Sequence, residues 1–247
     1  FRNPVKNMTS FVNTASKRDL FGGAIEANLG ADYLDVSDVR QVPDHQEVFI
    51  HKDNEVSIIV ELLQYENDLE DSIGAVRHYY NDLVEVNEAA ENKILSEAVL
   101  TAEESFLPNL GKDVVKMAIV GKQTVGKYST RPGMQIDHIY VVFVLVRLVN
   151  VGTELFISMN IPAAALVPTK REGTIDVPVD EAQSAVLQEL EERMNVLQLL
   201  SSAAFDAAGS DALGTCFQDL RSVLSSFKIN DWTLFGGGEE EALAGLV

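Results

Sequence analysis

Two stretches of this sequence gather side chains that could do chemistry. The first, Gly121-Lys122-Gln123-Thr124-Val125-Gly126-Lys127, has the paired glycines and closing lysine with which a phosphate loop wraps a nucleotide. The residue that follows is Tyr128, where a phosphate loop sets a Ser or Thr hydroxyl on Mg²⁺. Pro132 then stands against a helix whose N-terminal dipole could meet the phosphates. The segment is therefore read as a plain connection between β-strands that binds no nucleotide. The second stretch carries Asp32, Asp35, Asp38, Asp44 and Glu47 against a single base, Arg40. It falls between expected strands, where binding residues collect. Charge runs are usually solvated faces, so pattern alone leaves open both a solvated loop and a docking surface for a basic partner.

Little else in the chain suggests catalysis. His45, His51, His78 and His138 show no paired metal-ligand spacing, and no cysteine cluster accompanies them. Neither Gly-x-Ser-x-Gly nor His-Glu-x-x-His occurs. No metal or cofactor is expected. The single cysteine, Cys216, cannot form an internal disulfide and sits in an apolar helical pattern, so a buried thiol in a reducing compartment is expected.

Charge narrows the partners. The 38 acidic and 19 basic side chains give a formal charge of −19, which argues against nucleic acid and for a basic partner. The most apolar run, 139–149, contains Arg147 and is about half the roughly 20 residues a membrane helix needs. No membrane association is expected. With 46% hydrophobic residues, the 247-residue chain can bury the core of one large domain.

The elements that would position the acidic stretch follow from periodicity. Residues 24–29, 46–51 and 57–63 read as strands, the last two forming a hairpin around Lys52-Asp53-Asn54-Glu55. Ile73, Val76, Tyr80, Leu83 and Val84 recur at helical spacing and predict an amphipathic helix over 71–87. Further strands are expected at 98–101, 114–120, 139–149 and 153–161, the last pair joined by a turn at Asn150-Val151-Gly152. Helices are expected over 180 to about 204 and over 213–227. Strands in succession without intervening helices imply antiparallel pairing, so the class is α+β, an antiparallel β-sheet flanked by helices. Residues 1–18, with four bases and no acid, read as a flexible N-terminal arm, with Met8 a candidate start and a targeting segment the alternative. Residues 237–247 read as a disordered acidic tail after a Gly-Gly-Gly-Glu-Glu-Glu run.

Leu20-Phe21-Gly22-Gly23-Ala24-Ile25, then the run from Asp35-Val36-Ser37-Asp38 through Pro43-Asp44-His45-Gln46-Glu47-Val48-Phe49, then Ser57-Ile58-Ile59-Val60-Glu61, closely resemble the Ran guanine nucleotide release factor (Mog) family. Gly121-Lys122-Gln123, Leu145-Val146-Arg147-Leu148, Asn160-Ile161-Pro162 and Leu234-Phe235-Gly236 resemble it as well, so the likeness covers 19–236. The resemblance implies a Mog/PsbP-like sandwich and a regulator, not an enzyme, that binds the small GTPase Ran and supports nuclear import, in nucleus and cytoplasm. It further implies that the acidic cluster faces Ran. Asp44 and Glu47 are then the leading contacts, with Asp35, Asp38 and Arg40 beside them, although Asp35 could instead cap a turn and Arg40 pair with it. Reversing the charge of both Asp44 and Glu47 is expected to leave the fold intact. Residues 163–212 depart from the family pattern as a longer-than-usual insertion. A monomer is favoured. The competing reading is a scaffold or trafficking adaptor that offers the same acidic face to another basic partner.

Overall fold

The computed structural model describes residues 15–69, 72–100, 106–126, 136–166, 179–200 and 212–236. Its elements in chain order are β1 (Ala15–Leu20), β2 (Ile25–Gly30), β3 (Tyr33–Asp35), β4 (Gln46–His51), β5 (Ser57–Gln64), α1 (Ser72–Val86), β6 (Glu91–Leu100), β7 (Val115–Gly126), β8 (Ile136–Leu148), β9 (Thr153–Pro162), α2 (Ala163–Leu166), α3 (Val179–Arg193), α4 (Val196–Leu200), α5 (Ala212–Ser226) and β10 (Lys228–Ile229). Seven strands form one antiparallel sheet in the order β3-β4-β5-β9-β8-β7-β6, and β1-β2-β10 form a second.

The most apolar run of the sequence falls in β8, third from one edge of the large sheet. Because side chains alternate across a strand, a strand covered on both faces must be apolar at every position. Tyr140, Val142, Val144 and Val146 pack into one core with β2 and α5, while Val141, Phe143 and Leu145 pack into another beneath α1. Helix α1 thus seals one face, and the small sheet with α2, α4 and α5 seals the other. No helix among the described residues is long and apolar enough to cross a membrane.

Several expectations shift at their boundaries. Part of the expected arm is strand β1, paired with β2 from Ala15 opposite Gly30 to Leu20 opposite Ile25. Its exposed Lys17 suits an edge strand as well as an arm, while the half-buried Arg18 donates to Tyr33 O at 3.2 Å. Strand β6 begins at Glu91 rather than 98, its first three residues being exposed and polar. The helix expected over 180–204 is divided at Met194-Asn195, where the Asn195 side chain accepts hydrogen bonds from Leu197 N at 3.1 Å and Gln198 N at 3.2 Å and so starts α4. Cys216 is buried on α5 and forms no disulfide. The first 14 residues, the tail over 237–247, and 167–178 and 201–211 of the insertion lie outside the described residues.

Candidate functional site

The phosphate-loop-like segment is strand as far as Gly126, and 127–135 lie outside the described residues. Its residues are divided between the sheet's two faces. Gly121 and Gln123 point toward α1, where Gln123 accepts from Asn87 Nδ2 at 2.7 Å. Lys122 and Thr124 point the opposite way. Lys122 Nζ meets Glu191 of α3 at 2.7 Å, and Thr124 Oγ1 lies 3.2 Å from His138 Nδ1. Lys93 Nζ reaches the other Glu191 oxygen at 3.1 Å, and the buried Tyr140 hydroxyl donates to Glu191 at 3.3 Å. Of these, Lys93, Lys122, Thr124, His138 and Glu191 border a cleft of about 500 Å³. The ion pairs tie α3 to β6 and β7, and no backbone cradle of the phosphate-loop kind is formed by Gly121–Gly126. Among the described residues, no group of three or more His, Cys, Asp or Glu could hold a metal ion.

The acidic stretch is more organised than its composition suggests. Val36 inserts into the core, and Val39 N and Arg40 N both donate to its carbonyl, at 3.1 and 3.0 Å. Asp35 Oδ1 accepts from Ser37 N at 2.8 Å, which caps this short 3-10 turn as an Asx turn does. Downstream, Gln46 N donates to Pro43 O at 2.9 Å, and Leu62 N donates to His45 O at 2.9 Å. The loop over 37–45 is therefore pinned at both ends, while Asp38, Val39, Arg40 and Asp44 stand exposed between the pins. Val39 is 83% exposed. Asp32 is turned away to Lys52 Nζ at 2.5 Å. Arg40 makes no ion pair with Asp35, so the capping role anticipated for Asp35 is present and the pairing role is not.

Glu47 behaves unlike the others. It is half-buried, and its Oε1 accepts a 2.5 Å hydrogen bond from the backbone N–H of Phe21. Phe21 opens the turn between β1 and β2 with φ at +49°, followed by Gly22 at +67° and Gly23 at +92°. The two glycines accept positive φ freely, whereas Phe21 there costs on the order of 1–3 kcal/mol unless its surroundings hold it. The Glu47 carboxylate and the packing of the Phe21 ring against the core supply that hold. Burial pushes the Glu47 carboxyl above the ordinary range, the Phe21 N–H opposes this, and the nearby charge of Asp35 adds to it. Glu47 is thus engaged inside the protein, and its charge reversal can no longer be expected to spare the fold. The Phe21–Gly23 turn was missed as part of this site, although a bulky residue followed by Gly-Gly was its signal.

Asp35, Asp38, Arg40, Asp44 and Glu47 therefore belong to one corner of the fold, but only Asp38, Arg40 and Asp44 present free-standing charged groups to solvent. The same corner joins the Leu20–Ile25 motif to the Asp35–Phe49 motif through the bond from Phe21 to Glu47.

The sequence profile of the family described as Ran-interacting Mog1 protein matches residues 18–162. A probable Ran guanine nucleotide release factor of Dictyostelium discoideum is 30% identical over 224 residues, covering 90% of this chain and 97% of that protein. The nuclear import protein mog1 of Schizosaccharomyces pombe is 29% identical over 158 residues, covering 62% and 82% of the two chains. The crystal structure of the Ran-binding protein Mog1p of Saccharomyces cerevisiae shares the fold with a TM-score of 0.57 at 21% identity, over 90% of this chain and 98% of that one. On the span of the profile match and the extent of the relatives, this chain belongs to the Ran-interacting Mog1 protein family.

Proposed function

We propose that this chain binds the small GTPase Ran and favours release of its guanine nucleotide, as a non-enzymatic regulator that supports nuclear import in nucleus and cytoplasm. The observation that carries this reading is the corner just described. An exposed loop pinned at both ends bears Asp38, Arg40 and Asp44, and the strand that follows it is bonded through Glu47 to the second segment that resembles the family. The relatives' names supply Ran and its nucleotide. Pre-pinned loops lose little conformational entropy on docking, which suits a surface that must compete with a tightly held ligand.

The physical route is electrostatic. Carboxylates brought near a nucleotide site repel the phosphates or compete for the basic groups and Mg²⁺ that hold them. Linkage then fixes the reciprocal effect: whatever factor the chain takes from the nucleotide's affinity for Ran, the nucleotide takes from Ran's affinity for the chain. The test is calorimetric titration with nucleotide-free and GDP-loaded Ran, together with release of a fluorescent GDP from Ran. Tighter binding to nucleotide-free Ran and faster release are expected. Binding that is indifferent to nucleotide would leave only an adaptor, and no binding at all would remove Ran as the partner.

A further inference from the structure

We propose that Lys93, Lys122 and Tyr140 form an anion site at the β6-β7-β8 end of the large sheet, filled by the Glu191 carboxylate of α3, which takes the phosphate group of a small molecule when Glu191 is displaced. The site follows from register. Lys93 of β6 stands opposite Lys122 of β7, and Tyr140 of β8 stands opposite Lys122 on the other side, so the three form one row across the sheet. Directly opposite residues have Cβ atoms about 5 Å apart, and like charges so placed repel. Two facing ammoniums at that spacing call for an anion between them. Glu191 supplies it: Oε1 lies 2.7 Å from Lys122 Nζ and accepts from the Tyr140 hydroxyl at 3.3 Å, and Oε2 lies 3.1 Å from Lys93 Nζ. Burial would raise the Glu191 carboxyl, but the hydrogen bonds from Lys122 and Lys93 outweigh it and hold the group below its ordinary range. Tyr140 is fully buried, and burial together with Glu191 pushes its hydroxyl up, which keeps it a donor.

Glu191 fills this row without matching it, since one negative charge meets two positive ones. A phosphate monoester carries close to two charges and has three terminal oxygens for the three donors. The rest of the cleft of about 500 Å³, bordered by Asn92 and by the next row of Glu91, Thr124 and His138, has the size of a small-molecule pocket. In that row Thr124 Oγ1 donates to Glu91 Oε2 at 3.4 Å. Glu91 would repel a second anionic group there, so the ligand carries its phosphate at one end only. Side chains on strands make the whole contact, without the backbone cradle that a nucleotide's phosphate chain takes. Leu187, Leu190 and Met194 keep α3 in the core, so displacing Glu191 loosens the helix without releasing it. The site lies at the opposite end of the sheet from β3 and β4, and so is independent of the acidic loop.

Inorganic phosphate is the probe, titrated into the full chain and followed by amide chemical shifts and by thermal melts, with sodium chloride of equal ionic strength as the control. Wild type, Glu191→Gln and the double variant Glu191→Gln with Lys122→Gln are compared. Because phosphate and the Glu191 carboxylate compete for the same donors, Glu191→Gln is expected to bind phosphate at least about tenfold more tightly than wild type. Its largest shifts should fall at Lys93, Lys122 and Thr124, and its melt should rise in phosphate above the melt in matched chloride. Lys122→Gln in that background should abolish both effects. Equal phosphate affinity in wild type and Glu191→Gln would overturn the proposal, as would shifts scattered over lysines elsewhere, a melt that chloride raises equally, or binding retained in the double variant. If Glu191→Gln instead detaches α3, seen as fast amide exchange over 187–193, the opened row should still bind phosphate, and failure to do so would overturn the proposal as well.

Discussion

Gly121 lies against the hydroxyl end of Tyr80: a Cβ built on Gly121 would fall 1.9 Å from the Tyr80 hydroxyl oxygen and 2.6 Å from Cζ. The glycine that suggested a phosphate loop is the seat for an α1 tyrosine whose hydroxyl donates to Asn92 Oδ1 at 2.9 Å. Gly121→Ala should therefore overpack the α1 face and cost about 1–3 kcal/mol in chemical denaturation. Tyr80→Phe in the same background should recover part of that loss, giving a double-mutant cycle with favourable coupling. A neutral Gly121→Ala would mean that α1 shifts freely on the sheet.

A buried ion pair fixes the connection from β5 into α1. Arg147, 5% exposed, donates to Glu154, which is fully buried, at 3.0 Å, and its guanidinium also reaches the carbonyls of Glu66 and Leu69 and lies over the Tyr65 ring. Removing one partner of such a pair strands the other, so Arg147→Met should cost about 3–5 kcal/mol. Burial raises the Glu154 carboxyl above its ordinary range although Arg147 opposes the shift. A carboxyl raised on folding contributes most when protonated, below the unfolded range, and that contribution is lost as pH rises through its folded value. Arg147→Met lifts Glu154 further, so the deficit in urea denaturation should be largest near neutral pH and narrow on acidification. A deficit constant with pH would show that the carbonyl bonds, not the charge pair, carry the effect.

The reach of the sequence varied with burial. Strands β4, β5, β8 and β9 were legible because a covered strand must be apolar or alternate, and the hairpin around 52–55 was marked by its polar turn. Edge elements were obscure for the converse reason. The exposed start of β1 and the polar start of β6 have no packing to impose a pattern, and β3 holds only one buried side chain, Tyr33, between acids. At the candidate site, composition singled out the loop and the resemblance implied a partner for it, but Glu47 looked like one more surface carboxylate. Its bond to Phe21 depends on two sheets meeting in space, which no local window records.

Glu47 carries its own pH signature. With its carboxyl raised chiefly by burial, the folded state binds a proton more tightly than the unfolded chain, so ionising Glu47 destabilises the fold as pH rises through the raised value. Glu47→Gln should then melt at or above the wild-type temperature at neutral pH, and the difference should shrink below the ordinary carboxylate range. A lower melt for the glutamine variant at neutral pH would show that the ionised acceptor is worth more than the burial cost.

Val39 is an exposed apolar side chain in this corner. It is 83% exposed on a backbone pinned through Val36, so its burial by a partner would cost little ordering. Interfaces place apolar side chains at their centre and charges at the rim. Val39→Ser should weaken Ran binding by about 1 kcal/mol, seen as a faster off-rate in surface-capture kinetics, with an unchanged melt. An unchanged off-rate would place Val39 outside the contact.

The acidic face itself is best tested away from Glu47. Asp38 and Asp44 are exposed, so Asp38→Lys with Asp44→Lys should change stability by no more than about 0.5 kcal/mol each. If basic groups of Ran face these positions, reversal sets like charges together and should slow association, the loss being largest at low salt where the screening length is long. Neutralisation by Asn at both positions should give a smaller loss in the same direction. Measured by stopped flow at two salt concentrations, the lysine pair should fall at least about tenfold in on-rate at low salt and converge toward wild type at high salt. Equal on-rates for wild type, asparagine and lysine pairs at low salt, with normal melts, would mean that Ran meets another face of the sheet.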